Sequence, residues 1–279
     1  MITSLTVEQF KAFESFSVGF GQINLLVGGN NSGKTTIFHA LQLFWWCLDK
    51  TAVETPTHVT LRKTQVADIP AIPNARVQDL FHAQKIRTGR GPTRMRLIVS
   101  SENVSDVAFE IYSAFANNYI VSGNDRTLTQ SEYDELRSLK PLFIPGMVGV
   151  TVREDLLRPI AQERMIREGN QSQVLRNIIY EVSKKGKWQG YLDLVRPIFE
   201  VNDVKIPFDP EKDEWLTVEY EEGGNYFDVV SAGSGFLQLI NLLGFIFLHE
   251  PKVALIDEPD SHMHDDLQRL TFDVIRSLA

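Results

Sequence analysis

Cysteine is almost missing: Cys47 stands alone in 279 residues, which excludes a disulfide framework and a cysteine zinc site. Long apolar runs are missing too. The most apolar stretch, Phe236 to Leu248, is interrupted by Gln238 and Asn241 and falls short of the roughly 20 residues needed to cross a bilayer. The N-terminus, Met1-Ile2-Thr3-Ser4-Leu5-Thr6-Val7-Glu8, has no basic-then-apolar order of a signal peptide. A cytoplasmic protein without a membrane partner is therefore expected. Positive charge is in short supply: 28 Lys and Arg face 36 Asp and Glu, a formal net charge of −8. This excludes a uniformly basic body that coats DNA, and any nucleic-acid contact must come from a local patch. There is no internal repeat and no low-complexity tract.

What is present is an ordinary globular pattern, 43% hydrophobic and 23% charged. Apolar bursts at Leu5–Val7, Phe16–Phe20 and Ile23–Val27, punctuated by Gly19 and Gly21, predict three strands. From Thr35 to Leu48, apolar residues at helical spacing and on the other faces predict a helix buried on most sides. Prolines at 56, 70 and 73 break residues 50–84 into irregular connections. Arg94–Ser100, Val107–Phe115 and Tyr119–Ser122 alternate as antiparallel strands, and Pro141–Gly146 reads as a short buried strand. Residues 154–200 turn helical, as an inserted helical lobe. Gly223-Gly224-Asn225 signals a hairpin. A helix from about Gly235 to His249, a strand Val253–Asp257 and a helix Leu267–Leu278 follow. The expected fold is α/β with an antiparallel β appendage, one domain over residues 1–279.

Gly28-Gly29-Asn30-Asn31-Ser32-Gly33-Lys34-Thr35 fits G-x-x-x-x-G-K-[ST] between a predicted strand and a predicted helix. Small residues let successive backbone N–H groups fold around phosphate oxygens, and the helix N-terminus adds partial positive charge. Asn30, Asn31, Ser32, Gly33 and Thr36 would line this nucleotide cradle with Gly28. Lys34 would reach the β- and γ-phosphates, and the Thr35 hydroxyl would ligate Mg²⁺.

Val253-Ala254-Leu255-Ile256-Asp257-Glu258-Pro259 is an apolar strand ending in two acids. Asp257 is the expected Mg²⁺ partner, and Glu258 the carboxylate that orients a water for in-line attack on the γ-phosphorus. Ser231-Ala232-Gly233-Ser234-Gly235 opens an apolar helix; alone it reads as a capped helix start, and beside the phosphate loop as a second candidate anion cradle. One nucleotide cannot use two such cradles from one chain, so the pairing points to a dimer.

In this order the segments resemble the ABC-type ATPase heads, and more narrowly the soluble branch that includes RecF and the OLD family. The likeness runs from Gly28 to Pro259, and Asp257-Glu258-Pro259-Asp260-Ser261-His262-Met263-His264 looks like the acidic strand end and His-x-hydrophobic-His tail of the OLD-like branch. The resemblance implies a P-loop NTPase with a mixed sheet around its phosphate-loop helix. It also implies ATP sandwiched between two heads, so that Ser231 or Ser234, with Gly233 and Gly235, would contact it in trans. Ser231-Ala232-Gly233 fits one form of the signature, Gly233-Ser234-Gly235 the other.

Departures from the family pattern fall at two places. The strand 142–145 leads into Gly146 where the family has a glutamine. A switch histidine is expected beyond the end of the sequence, so either His262 or His264 substitutes or the chain is a truncated head; truncation, with a missing C-terminal effector, is the expectation. Without heptads between Ile144 and Ser231, the coiled-coil arm of SMC-type proteins is not expected.

Lys85 to Arg96 packs five basic residues into twelve positions; it reads as a solvated basic loop, with phosphate-backbone contact as the alternative. The acidic run 200–222 reads as a solvated hairpin region. Lys11 reads as a surface lysine, His39 as a packed, hydrogen-bonded histidine, and His262 and His264 as loop residues rather than a zinc pair.

The expected function is Mg²⁺-dependent ATP hydrolysis driving ATP-gated homodimerisation, coupled to DNA or an effector protein in repair or phage defence. A non-enzymatic nucleotide clamp is the alternative. A transporter ATPase subunit is a weaker one, since a Leu-Ser-Gly-Gly-Gln signature is lacking.

Overall fold

Leu5 and Val7 of β1 (Ile2–Phe10) alternate with half-buried residues, and so do Met95, Leu97 and Val99 of β8 (Met95–Ser101) and Val107, Phe109 and Ile111 of β9 (Val107–Phe115). That period of two turns one face of each strand inward. The computed structural model describes residues 1–89, 91–115, 118–146, 149–167, 170–199, 201–261 and 263–278, and it divides into two compact units, Met1–Pro141 and Leu142–Ala279.

In the first unit, in chain order, β1 is followed by β2 (Phe13–Gly19), α1 (Lys34–Thr51), β3 (Ala52–Glu54), β4 (His58–Leu61) and β5 (Thr64–Val66). Then come β6 (Arg87–Thr88), β7 (Gly91–Pro92), β8 (Met95–Ser101), β9 (Val107–Phe115), β10 (Asn118–Ser122), β11 (Arg126–Thr129) and α2 (Gln130–Ser138). One antiparallel sheet takes the order β2-β1-β8-β9-β10-β5. The strands expected as an appendage thus continue the N-terminal pair.

Helix α1 is buried along Ile37, Ala40, Leu41, Leu43, Phe44, Trp45, Cys47 and Leu48. Each of the Ile, Leu and Phe side chains among them contributes about 1.5–3 kcal/mol by leaving water. Phe44 meets Phe109 edge-on at 5.0 Å, and the Trp45 indole donates to the Leu136 carbonyl at 2.7 Å. Helix α2 starts at a capping box: Thr129 Oγ1 accepts from Glu132 N while Glu132 Oε2 accepts from Thr129 N.

The third strand expected at 23–27 does not form. Leu25 and Val27 are 73% and 85% exposed, and the Asn24 side chain closes on Gly21, accepting from its N–H and donating to its carbonyl, each at 2.8 Å. Such local bonding competes with a sheet ladder. The surface reading of Lys11 is also corrected. Its ammonium is half-buried and donates to His39 Nδ1 at 2.9 Å; burial lowers Lys11 to about 8, and burial together with the Lys11 charge lowers His39 to about 4. His39 is the bonded histidine expected.

The basic loop is partly neutralised: Arg94 pairs with Glu110 at 2.6 Å, and Arg96 with Glu8 and Glu110 at 3.4 Å each. Arg94 also covers the Tyr112 ring. Arg90 lies outside the described residues.

The second unit holds β12 (Leu142–Ile144), α3 (Pro159–Arg167), α4 (Leu175–Lys184), α5 (Trp188–Phe199), β13 (Val204–Lys205), β14 (Glu219–Glu222), β15 (Asn225–Asp228), α6 (Ser234–His249), β16 (Ala254–Ile256) and α7 (Asp265–Leu278). Helix α6 is the hub of its core. A Cβ on Gly244 would sit 2.8 Å from Ile178 of α4, and the Tyr191 hydroxyl donates to the Ile240 carbonyl at 3.1 Å. Gly223 and Gly224, both with positive φ, make the two-residue hairpin turn between β14 and β15. The acidic run is not uniformly solvated: Glu221 is buried and accepts from Gly224 N at 2.6 Å, and Asp203 pairs with Arg196.

Candidate functional site

The phosphate-loop residues sit in the first unit, where the chain leaves an exposed loop and enters α1. Gly33 is the N-cap of the 18-residue helix at φ 98°, a conformation only glycine takes at little cost. A Cβ there would also lie 2.6 Å from Phe13 Cζ. Phe13, stacked on Phe16 at 4.5 Å, is therefore the floor beneath the loop, a contribution the sequence did not disclose. Asn31 is left-handed at φ 63°, Ser32 N donates to Gly29 O, and Ile37 N donates to Gly33 O.

No side chain caps the α1 N-terminus and no acid stands in its first turn. Its partial positive charge is therefore not offset by an acid in its first turn, which suits an oxyanion. Lys34 Nζ donates to the carbonyls of Gly28 at 2.5 Å and Gly29 at 3.0 Å, so its ammonium is folded over the loop's own backbone. Thr35 and Thr36 follow in the first turn, half-buried; Asn30, Asn31 and Ser32 are exposed.

In the second unit, β12 and β16 pair in parallel, Leu142 with Ala254, Phe143 with Leu255 and Ile144 with Ile256. Asp257 N extends the ladder to Ile144 O at 3.0 Å. Asp257 and Glu258 thus stand at the carboxyl end of a parallel pair, where open α/β sheets place ligands. Asp257 is half-buried and Glu258 exposed.

Glu258 has φ 46°. This is left-handed backbone in a non-glycine residue that also precedes Pro259, a combination costing on the order of 1–3 kcal/mol. Its carbonyl accepts from Ser261 N at 3.1 Å and from Gln238 Nε2 at 3.2 Å. Close by lies Gly146, where an added Cβ would be 3.3 Å from Asp257 O and 3.4 Å from Glu258 Cβ. At the position where the sequence departs from the expected glutamine, a Cβ would be tight against the Asp257 carbonyl.

Asp228 leads into the serine-glycine segment. Its carboxylate accepts from Val230 N and binds Arg176 Nη2 at 2.6 Å. Arg176 is fully buried, donates to the Thr151 carbonyl at 2.8 Å and lies 3.8 Å from Glu154. Glu154 in turn accepts from the N–H groups of Arg176 and Asn177 at the start of α4, and burial raises its carboxyl. Beyond this network Ser231, Gly233 and Ser234 are exposed and Gly235 is buried. Gly233 is the α6 N-cap, again with no side-chain cap.

His264 is exposed and its carbonyl accepts the first bond of α7 from Gln268 N at 2.9 Å. His262 lies outside the described residues. Among the described residues no three His, Cys, Asp or Glu side chains gather as a metal cage, and no helix is long and apolar enough to cross a membrane.

A family model for an AAA ATPase domain matches residues 1–72, the segment that contains the phosphate loop. A comparison with curated proteins finds no match. Among solved structures, the chain is similar to the Smc head domain with an extended coiled coil bound to the C-terminal domain of ScpA, derived from Pyrococcus furiosus. That likeness has 15% identity, covers 99% of this chain and 86% of that one, and gives a TM-score of 0.54. The SMC head domain from Thermotoga maritima aligns at 14% identity over 99% of this chain and 84% of that one, with a TM-score of 0.48. At such identity the likeness to the Pyrococcus Smc head is one of fold alone, a mixed α/β architecture with an antiparallel sheet.

Proposed function

We propose that this chain is a Mg²⁺-dependent ATPase head that pairs with a second copy when ATP binds and separates after hydrolysis. The observation that carries the reading is the phosphate loop, with left-handed Gly33 at the uncapped N-terminus of α1 over Phe13. In this reading the loop amides and the helix N-terminus hold the β- and γ-phosphates. Lys34 exchanges its Gly28 and Gly29 carbonyls for phosphate oxygens. Mg²⁺, when bound, draws charge from the β- and γ-oxygens. The Thr35 hydroxyl in the first unit and the Asp257 carboxylate in the second are each a hard oxygen donor of the kind Mg²⁺ takes, and each would be a candidate to hold it. Glu258, exposed at the strand end, orients the attacking water and receives its proton.

The second cradle supports the pairing. Ser231, Gly233 and Ser234 are exposed at an uncapped helix start, suited to phosphate brought by another copy. The order of motifs supports the RecF and OLD-like branch, and with it a DNA-linked partner or an effector in repair or phage defence as what the cycle switches.

Two variants test the reading. Glu258→Gln should keep ATP affinity, persist as an ATP-bound dimer in light scattering and release almost no phosphate, while Lys34→Ala should lose nucleotide binding. Normal turnover in the first, or normal affinity in the second, removes that residue from its role. Specific activity of the native chain should rise with protein concentration; a flat dependence refutes the two-head site. ATP-gated dimers without turnover in the native chain would make it a clamp.

A further inference from the structure

Gln238 enters the sequence as one of two polar interruptions in an apolar helix, yet it is 5% exposed and its carboxamide donates to the Glu258 carbonyl at 3.2 Å. It lies four residues after Ser234, so the two share a face of α6 one turn apart. Ser234 is exposed at the helix start, and Gln238 is buried against the acidic turn.

The turn needs holding. A residue before proline relaxes toward extended backbone, but Glu258 is left-handed. Two donors, Ser261 N and Gln238 Nε2, fix the peptide that follows it. Gly146 also lies close, since a Cβ there would come 3.4 Å from Glu258 Cβ. Removing the carboxamide frees one side of that peptide and lets the carboxylate swing from its place.

We infer that Gln238 is a positioning residue: through the Glu258 carbonyl it sets the carboxylate that orients water, and it ties that carboxylate to the helix whose first residues form the serine-glycine cradle. This rests on the ATPase reading above. A shift of α6 when its N-terminus meets a phosphate is carried one turn along the helix to the hydrolytic turn.

Gln238→Met keeps the length and removes the donor; Gln238→Leu serves as a second variant of different shape. Nucleotide affinity, measured by titration with a fluorescent ATP analogue, should stay within twofold of the native chain, and the thermal midpoint should confirm folding. Turnover at saturating ATP should fall by about ten- to a hundredfold, the loss typical of a misplaced catalytic group, with KM little changed. The decisive arm repeats Gln238→Met in the Glu258→Gln background under single-turnover conditions. A residue acting through Glu258 loses its effect there, whereas a general structural role multiplies the loss unchanged.

Unchanged turnover in Gln238→Met, or an equal fold-loss in both backgrounds, overturns the inference. So does loss of nucleotide affinity or folding in both Met and Leu variants, which assigns Gln238 to the core. If Glu258→Gln itself turns over normally, the ATPase reading of that acid fails first. If Glu258→Gln is inactive and Gln238→Met is normal, only the coupling is wrong.

Discussion

Gly33→Ala offers a direct measure of how the phosphate loop is built, because two separate costs meet at one atom. The first is conformational: an alanine at φ 98° is held outside the regions open to L-residues, for about 1–2 kcal/mol. The second is steric. The new Cβ would lie 2.6 Å from Phe13 Cζ and 2.9 Å from Cε1. The ring is half-buried and stacked on Phe16 with an interplanar angle of 14°, a contact it gives up if it steps aside. Overpacking of this kind costs about 1–3 kcal/mol, so the sum is about 2–5 kcal/mol.

Urea unfolding of the native chain, Gly33→Ala, Phe13→Leu and the double variant separates the two. The double-mutant cycle should return the steric part as a favourable coupling of about 1–3 kcal/mol, while the conformational part persists. A Gly33→Ala loss below about 1 kcal/mol, or zero coupling to Phe13→Leu, would show that the loop does not rest on that ring.

Two further outcomes follow from buried charge. Arg176→Met leaves Glu154 and Asp228 without their shared cation and should cost about 3–5 kcal/mol in denaturant unfolding; a loss under about 1 kcal/mol would mean the network is not what holds the approach to Ser231. His39 is lowered from 6.5 to about 4, so the unfolded chain binds the extra proton between those values. Its contribution to stability is full above pH 6.5 and is lost as pH falls toward 4, by up to about 3 kcal/mol. His39→Gln should flatten that part of the unfolding profile, and an unchanged slope would place the acid sensitivity elsewhere.

How much of this was legible in the sequence depended on whether the cause was local. The alternation of β8 and β9, the helical spacing of α1 and the Gly223-Gly224 turn are properties of neighbouring residues, and each appears where its pattern placed it. Helix α2 was missed because only Tyr133 and Leu136 of its nine residues are buried, too narrow a stripe for periodicity; the capping box Thr129-x-x-Glu132 was the available signal. Ile23–Val27 has the composition of a buried strand, but a strand needs a partner, and the Asn24 bonds to Gly21 give the local chain another way to satisfy its backbone. The Arg176–Glu154–Asp228 network spans residues far apart in the chain, which no spacing rule connects. Phe13 beneath Gly33 is hidden for the same reason.

Gly146 shows how a departure from pattern can be physical rather than a loss. As sequence it is a missing glutamine after a strand. In the fold its backbone lies against Asp257 and Glu258, where a Cβ would have 3.3 Å to the Asp257 carbonyl oxygen, closer than most side chains tolerate. A Cβ at 146 would need its neighbours to give by a few tenths of an ångström, so a glycine there leaves the acidic turn undisturbed. The carboxamide that touches the acidic turn comes instead from Gln238 on α6, a helix that opens at exposed Gly233 and Ser234.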